Sequence, residues 1–253
     1  MDLVNLSGKK IVVAGASSGI GRETARLLNQ LGASIILIAR REENLKAALS
    51  EMSGDGNAYY VSDLSDLHSI EPLFKSIVDE HGKLDGMVYS AGISMSLPLQ
   101  MFKPQKLNSI FTINFFAFIE CVRQICKKGR FNSGMNIVGV SSVASLKGDK
   151  AHLGYSASKA AMDAAVRCIA KEVSDKGIRI NTVAPAMTKT EMYTKFLNNA
   201  GNNEAENQTL LTRQYLGLAE TSDIANAIAF LLSDNSKFIT GITLPVDGGL
   251  TTS

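Results

Sequence analysis

The chain has 253 residues, 45% hydrophobic and 20% charged, an ordinary globular make-up with length for one large core or two small ones. A formal net charge of +2 excludes the strong basic field expected of a nucleic-acid or anionic-membrane binder. The cysteines Cys121, Cys126 and Cys168 lack paired spacing, which argues against a disulfide framework or a metal site.

Met1–Lys10 lacks a basic leader followed by an apolar run, so no signal peptide is expected. No apolar stretch reaches membrane-spanning length, and a cytoplasmic protein is expected. Lys10–Ala14 predicts a buried strand, followed by a helix over Ile20–Leu31 that Gly32 ends. Ser34–Ala39 predicts a second strand, Glu42–Glu51 a second helix and Ala58–Val61 a third strand. Asp66–His81 reads as a helix with Asp66 as N-cap and Gly82 as its stop. Leu84–Tyr89 is the fourth strand, and Gln105–Lys128 a long apolar helix. Asn136–Val140, Gly154–Lys176 and Ile178–Val183 predict strand, helix and strand. Thr188–Leu216 is polar, Asn-rich and weakly patterned, before a helix at Ser222–Leu232 and a last strand at Gly241–Val246. This alternation predicts right-handed βαβ units: an α/β, doubly wound parallel sheet of about seven strands, with helices on both faces, in a single domain.

The first strand runs into Gly15-Ala16-Ser17-Ser18-Gly19-Ile20-Gly21. Glycines there allow a tight turn and close approach of backbone to a pyrophosphate, which the following helix N-terminus attracts. Such a loop is a weak signal alone and a stronger one between a first strand and a first helix. The second strand ends in Arg40-Arg41, with no acid to hold a ribose 2′-hydroxyl. Arg40 is therefore the expected ligand of a 2′-phosphate, which points to NADP(H), with NAD(H) as the weaker option. The alternative is a solvated arginine pair opening a helix.

Tyr155 and Lys159 lie one turn apart on one helix face. An ammonium beside a phenol favours the phenolate, so a lowered Tyr155 pKa is expected. A phenol tuned in this way can pass a proton to or from a substrate oxygen. Ser142 follows the fifth strand, at the carboxyl end of the sheet where doubly wound folds bind ligands.

Taken together, these motifs resemble the short-chain dehydrogenase/reductase family in its shorter single-domain branch. The likeness covers nearly the whole chain: the glycine loop, Asp63-Leu64, Ser90-Ala91-Gly92, Asn114, Ser142, Tyr155/Lys159, the Pro185 segment and Val246-Asp247-Gly248-Gly249. It implies reversible hydride transfer between a nicotinamide and a ketone or secondary alcohol. Tyr155 would be general acid in reduction and base in oxidation, while Lys159 would lower its pKa and hold the nicotinamide ribose. Ser142 would polarise the carbonyl, and Asn114 would support a water linking Lys159 to bulk solvent. Asp63 would bind the adenine with Leu64 beside its ring, and Ser90, Ala91 and Gly92 would line the adenosine ribose. Pro185, Thr188 and Thr190 would position the carboxamide.

This chain departs from the family in having Tyr89-Ser90 where two Asn are common, Ala186 after Pro185, and Ser18 where some NADP-preferring members are basic. The segment near 188–216 falls where the family places a substrate lid. Ile93–Phe102 and Ser145–Leu153 would wall a partly apolar pocket. The closing segment Ile239–Gly249 is similar to that of bacterial 3-oxoacyl-(acyl-carrier-protein) reductases. An acyl-carrier-protein-linked partner would call for basic residues at the pocket mouth, with Lys127, Lys128 and Arg130 as candidates. A homotetramer, or a dimer, is also implied. A silent nucleotide sensor or scaffold, or a reductase of sugars or steroids, are the alternatives.

Overall fold

The computed structural model describes residues 4–199 and 213–252. Seven strands pair in parallel: β1 (Lys10–Ala14), β2 (Ser34–Ala39), β3 (Ala58–Val61), β4 (Leu84–Tyr89), β5 (Phe131–Val140), β6 (Arg179–Pro185) and β7 (Thr243–Val246). Their spatial order is β3-β2-β1-β4-β5-β6-β7. The order reverses between β1 and β4, which opens a crevice at their carboxyl ends.

Strand side chains alternate between two faces, so one strand feeds two cores. Val12, Ile36, Met87 and Ile137 face one layer, against α3 (Leu67–His81), α5 (Ala117–Ile125) and α6 (Leu153–Val173). Val13, Ile35, Val88 and Val138 face the other, against α1 (Gly19–Gln30), α2 (Glu42–Ser50) and a later helix, α8 (Thr221–Leu232). That double burial explains why β1 and β2 read as nearly unbroken apolar runs.

Helix α3 starts as expected, with the Asp66 side chain accepting from the His68 N–H at 3.1 Å, and ends at Gly82 with φ 78°. The long helix expected over Gln105–Lys128 is interrupted. Pro104–Phe111 (α4) is α-helical, Thr112–Phe116 makes a π turn, and α5 follows. Pro104 opens α4 in the first turn, where its missing N–H costs nothing. The π turn is tied down by Tyr89, which stands where the family often has Asn. Tyr89 is fully buried at the end of β4, and its hydroxyl donates to the Ile113 carbonyl at 2.5 Å. A π turn disturbs the regular carbonyl pairing of a helix, and this phenol supplies a donor there.

Strand β5 begins at Phe131, before the expected Asn136, and its register with β4 shifts between Leu84 and Gly86. The stretch read as weakly patterned contains α7 (Glu191–Asn199). The rest of the expected lid, over 200–212, lies outside the described residues. No helix among the described residues is long and apolar enough to cross a membrane.

Candidate active site

The glycine loop is built by contacts that admit no side chain. Gly15 has φ 85°, and a Cβ added there would lie 2.5 Å from the Ala91 backbone nitrogen. A Cβ on Gly21 would lie 2.2 Å from the Gly15 carbonyl oxygen. The loops after β1 and β4 are thus pressed together, and the first turn of α1 sits on the loop itself. Gly21→Ala is expected to destabilise the fold by about 1–3 kcal/mol and to weaken dinucleotide binding. Denaturant unfolding and NADPH fluorescence check this, and an unchanged midpoint would contradict it.

Ser18 is the N-cap of α1 but makes no side-chain cap, and the first turn holds no acid. The opening amides of α1 are therefore suited to an anion. Ser17 and Ser18 instead accept from the Arg41 guanidinium at 3.3 and 3.1 Å. Arg40, the residue singled out from the sequence, is 68% exposed and lies 3.9 Å from Asp63. Arg41, passed over in the sequence, is the arginine that reaches the loop, and its other nitrogen lies 3.5 Å from Glu191 at the start of α7. Adjacent arginines at a strand end point to opposite sides, so the sequence could not say which one faces the loop.

Asp63 does not cap α3. Its Oδ1 accepts from the Ser65 N–H at 3.0 Å and the Ser65 hydroxyl at 2.8 Å, which hold its carboxyl below the usual range. Leu64 is 3% exposed and packs into the core beside Asp63. Pro185 closes β6, and Thr188 donates to the Ala186 carbonyl at 3.1 Å. Thr190 approaches the loop from across the crevice, its Cγ2 3.3 Å from where a Cβ of Gly19 would stand. A cavity of about 650 Å³ opens beside this junction, lined in part by Gly19, Arg22, Thr190, Tyr193 and Leu197. Tyr155 is not among its walls.

Tyr155, Lys159 and Ser142 come together at the carboxyl end of the sheet. The end of β5 faces the first turns of α6. Lys159 is 4% exposed, and its Nζ donates to the Val140 carbonyl at 2.7 Å. That nitrogen lies 5.9 Å from the centre of the Tyr155 ring. Ser142 accepts from the Ala144 N–H at 3.2 Å, and its hydroxyl favours the ionised form of the neighbouring Tyr155.

The ionisation balance corrects the sequence expectation. Burial raises the Tyr155 pKa, with the Ser142 hydroxyl pulling the other way. Burial also lowers Lys159 to about 8, against the opposing charge of Asp163. The amine does lie beside the phenol, but the cost of burying a phenolate is the larger effect.

Asn114 lies in the π turn and is fully buried. Its Oδ1 accepts from the Ile93 N–H at 2.9 Å, and its Nδ2 donates to the Ile93 carbonyl and the Ser158 hydroxyl, both at 3.0 Å. Its side chain therefore braces the Ile93 loop against helix α6. A Cβ at Gly92 would lie 3.1 Å from Asn114 Oδ1 and 3.5 Å from Lys159 Nζ, so the small residue leaves room for both.

The expected pocket walls touch each other. The Leu97 N–H donates to the Ala151 carbonyl at 2.8 Å, and Ser96 bonds His152 at 2.9 Å. Ala151 holds a left-handed φ of 64°, just before the helix that carries Tyr155. Leu99, Met101, Leu146 and Leu153 are all about half exposed or more on these walls. Lys127, Lys128 and Arg130 lie just before β5 begins, at the end of the sheet opposite Ser142. Lys127 bonds Glu71 at 2.7 Å and Arg130 bonds Gln124 at 2.8 Å, so these basic residues do not flank the pocket mouth.

A family model described as Enoyl-(Acyl carrier protein) reductase matches residues 15–251. The chain is 34% identical over 247 residues to the 3-oxoacyl-(acyl-carrier-protein) reductase of Vibrio harveyi, covering 98% of this chain and 99% of that one. It is 34% identical over 249 residues to L-xylulose reductase of Caenorhabditis elegans, covering 97% of this chain and 96% of that one. Among solved structures, levodione reductase superposes with TM-score 0.93 at 26% identity, covering 98% of this chain and 100% of that one.

Proposed function

The chain belongs to the short-chain dehydrogenase/reductase family, whose oxidoreductases act on CH–OH and C=O groups with a nicotinamide cofactor, and from that premise we propose that it reduces a ketone with NADP(H). The observation that carries this reading is the convergence of Ser142, Tyr155 and Lys159 where β5 and α6 meet. When bound, the nicotinamide supplies the hydride. The protein's own groups then handle orientation and the proton.

In this reading Ser142 donates to the carbonyl oxygen and Tyr155 passes its proton to the developing alkoxide. Burial keeps the phenol protonated, as a general acid requires. Lys159 as an ammonium stabilises the phenolate left behind and holds the ribose. Asn114 braces the Ile93 loop and, through Ser158, helix α6. Gly15, Ser17, Ser18, Gly19, Ile20 and Gly21 would hold the pyrophosphate, and Asp63, Ser90, Ala91 and Gly92 the adenosine. Pro185, Thr188 and Thr190 would hold the carboxamide. The crowded glycines and the uncapped α1 amides fit such a cofactor. Arg41 together with Arg40 fits a 2′-phosphate.

The substrate proposed is a 3-oxoacyl thioester, as in the name of the Vibrio harveyi relative. Exposed apolar walls suit its acyl chain, and Lys103, Lys106, Lys147 and Lys150 are the lysines of the segments around them. A keto-sugar is the second reading, favoured by the likeness to L-xylulose reductase. The family model's description adds enoyl reduction as a product to check. A cytoplasmic single-domain homotetramer with a lid near 188–216 belongs to the same proposal. The cluster of Phe111, Phe115 and Phe116, with Phe116 43% exposed, supports association through that helix.

The test is NADPH oxidation over acetoacetyl and crotonyl thioesters, cyclic ketones, quinones and keto-sugars. Turnover of the oxo-thioester to a hydroxyacyl product is expected, and binding of NADPH with no turnover across the panel would favour a silent binder. The pH profile has a definite sign. Lys159 titrates near 8 and is charged below it, so reductive kcat/KM should be level on the acid side and fall as pH rises through that value. A profile that rises through this range would contradict the assigned roles.

A further inference from the structure

Helix α6 carries a third ionisable group on the face that holds Tyr155 and Lys159. Asp163 stands one further turn along. It is 4% exposed, so its charge is costly unless partnered. Its Oδ2 accepts from the Ser141 hydroxyl at 2.9 Å and its Oδ1 from the Thr182 hydroxyl at 2.8 Å. Thr182 Oγ1 is also 2.9 Å from Thr243 Oγ1. With one proton to give, Thr182 donates to the carboxylate and accepts from Thr243. The buried carboxylate thus ties α6 to β5, β6 and β7 through neutral hydroxyls.

Three consecutive residues at the end of β5 each hold one member of this column. Val140 accepts from Lys159, Ser141 donates to Asp163, and the Ser142 hydroxyl acts on Tyr155. The groups facing Asp163 from β5 and β6 are Ser141 and Thr182, neither of which carries charge. Lys159 is faced by the Val140 carbonyl, Gly92 and the π turn's Asn114, none of them ionisable, and by Tyr155 on its own helix. Asp163, one turn along the same helix and bonded to the residue after Val140, is the nearby charge that opposes the effect of burial on Lys159.

We propose that Asp163 is a positioning residue for this proton-handling pair: its buried carboxylate holds Lys159 as an ammonium and, through Ser141, fixes the strand end that carries Ser142. This rests on the reading of Tyr155 and Lys159 given above. A purely structural aspartate would hold the strand end without favouring either protonation state of Lys159.

The experiment is an NMR titration of carbon-labelled lysine, with Lys159→Arg for assignment, beside the pH profile of kcat/KM. Asp163→Asn is expected to move both the Lys159 midpoint and the alkaline limb to lower pH, leaving kcat/KM about tenfold below the parent on the alkaline side and nearly equal on the acid side. Asp163→Glu, which keeps the charge, should restore the limb. If Asp163→Asn does not fold, Asp163→Ser carries the same expectation. A folded variant whose Lys159 midpoint is unmoved, or whose activity drops equally at every pH, would overturn the proposal. The titration needs no turnover. A parent protein that reduces nothing, but whose Lys159 midpoint falls in Asp163→Asn, would sink the functional reading and leave this one standing.

Discussion

Tyr155→Phe is expected to lower kcat for ketone reduction by about 10²–10⁴-fold, with a much smaller change in NADPH binding. The substitution removes one hydroxyl and keeps the ring over which Lys159 lies, 5.9 Å from its centre. The ring's packing and the Lys159 contact to Val140 should survive. What is lost is the proton donor beside Ser142. Lys159→Met should cost a similar factor and weaken NADPH binding as well, since that amine is assigned to both tasks. Steady-state kinetics with fluorescence binding separate the two. A Tyr155→Phe protein as active as the parent would remove the proposed mechanism.

Arg41→Ala is expected to raise the Kd for NADPH about tenfold while leaving that for NADH nearly unchanged. A charge-assisted bond contributes about 1.5–3 kcal/mol, and the half-exposed guanidinium places this site at the low end of that range. Arg40→Ala should have the smaller effect, because Arg40 is 68% exposed and lies beside Asp63, away from the loop serines. Equal changes for both cofactors in either variant would place the 2′-phosphate elsewhere. Isothermal titration with each cofactor reads this directly.

How far the sequence carries can be followed residue by residue. Strands β1 and β2 were legible because each is buried on both faces and so reads as a run rich in Val and Ile. The glycine loop was legible because Gly15 and Gly21 stand where backbone meets backbone. The π turn was not, since its sequence Thr112–Phe116 keeps helical periodicity and the groups that bond it, Tyr89 and Ile93, are distant in the chain. The Tyr155–Lys159 spacing gave adjacency correctly but misjudged the balance of charge, because burial is a tertiary quantity. Asp163 went unnoticed for the same reason: its partners Ser141 and Thr182 lie on two separate strands. Lys127 and Arg130 looked suited to a pocket mouth until the length of β5 set them at the opposite end of the sheet.

The central claim is that this chain moves a hydride from a nicotinamide to a carbonyl carbon while Tyr155 protonates the oxygen. The measurement closest to it uses NADPH carrying deuterium at both C4 positions of the nicotinamide, incubated with an acetoacetyl thioester and followed by mass spectrometry of the product. One deuterium on the carbinol carbon, with the labelled product formed about 10²–10⁴-fold more slowly by Tyr155→Phe, is the predicted result. NADPH bound at the crevice with no deuterium delivered to this thioester or to any ketone of the panel would contradict it.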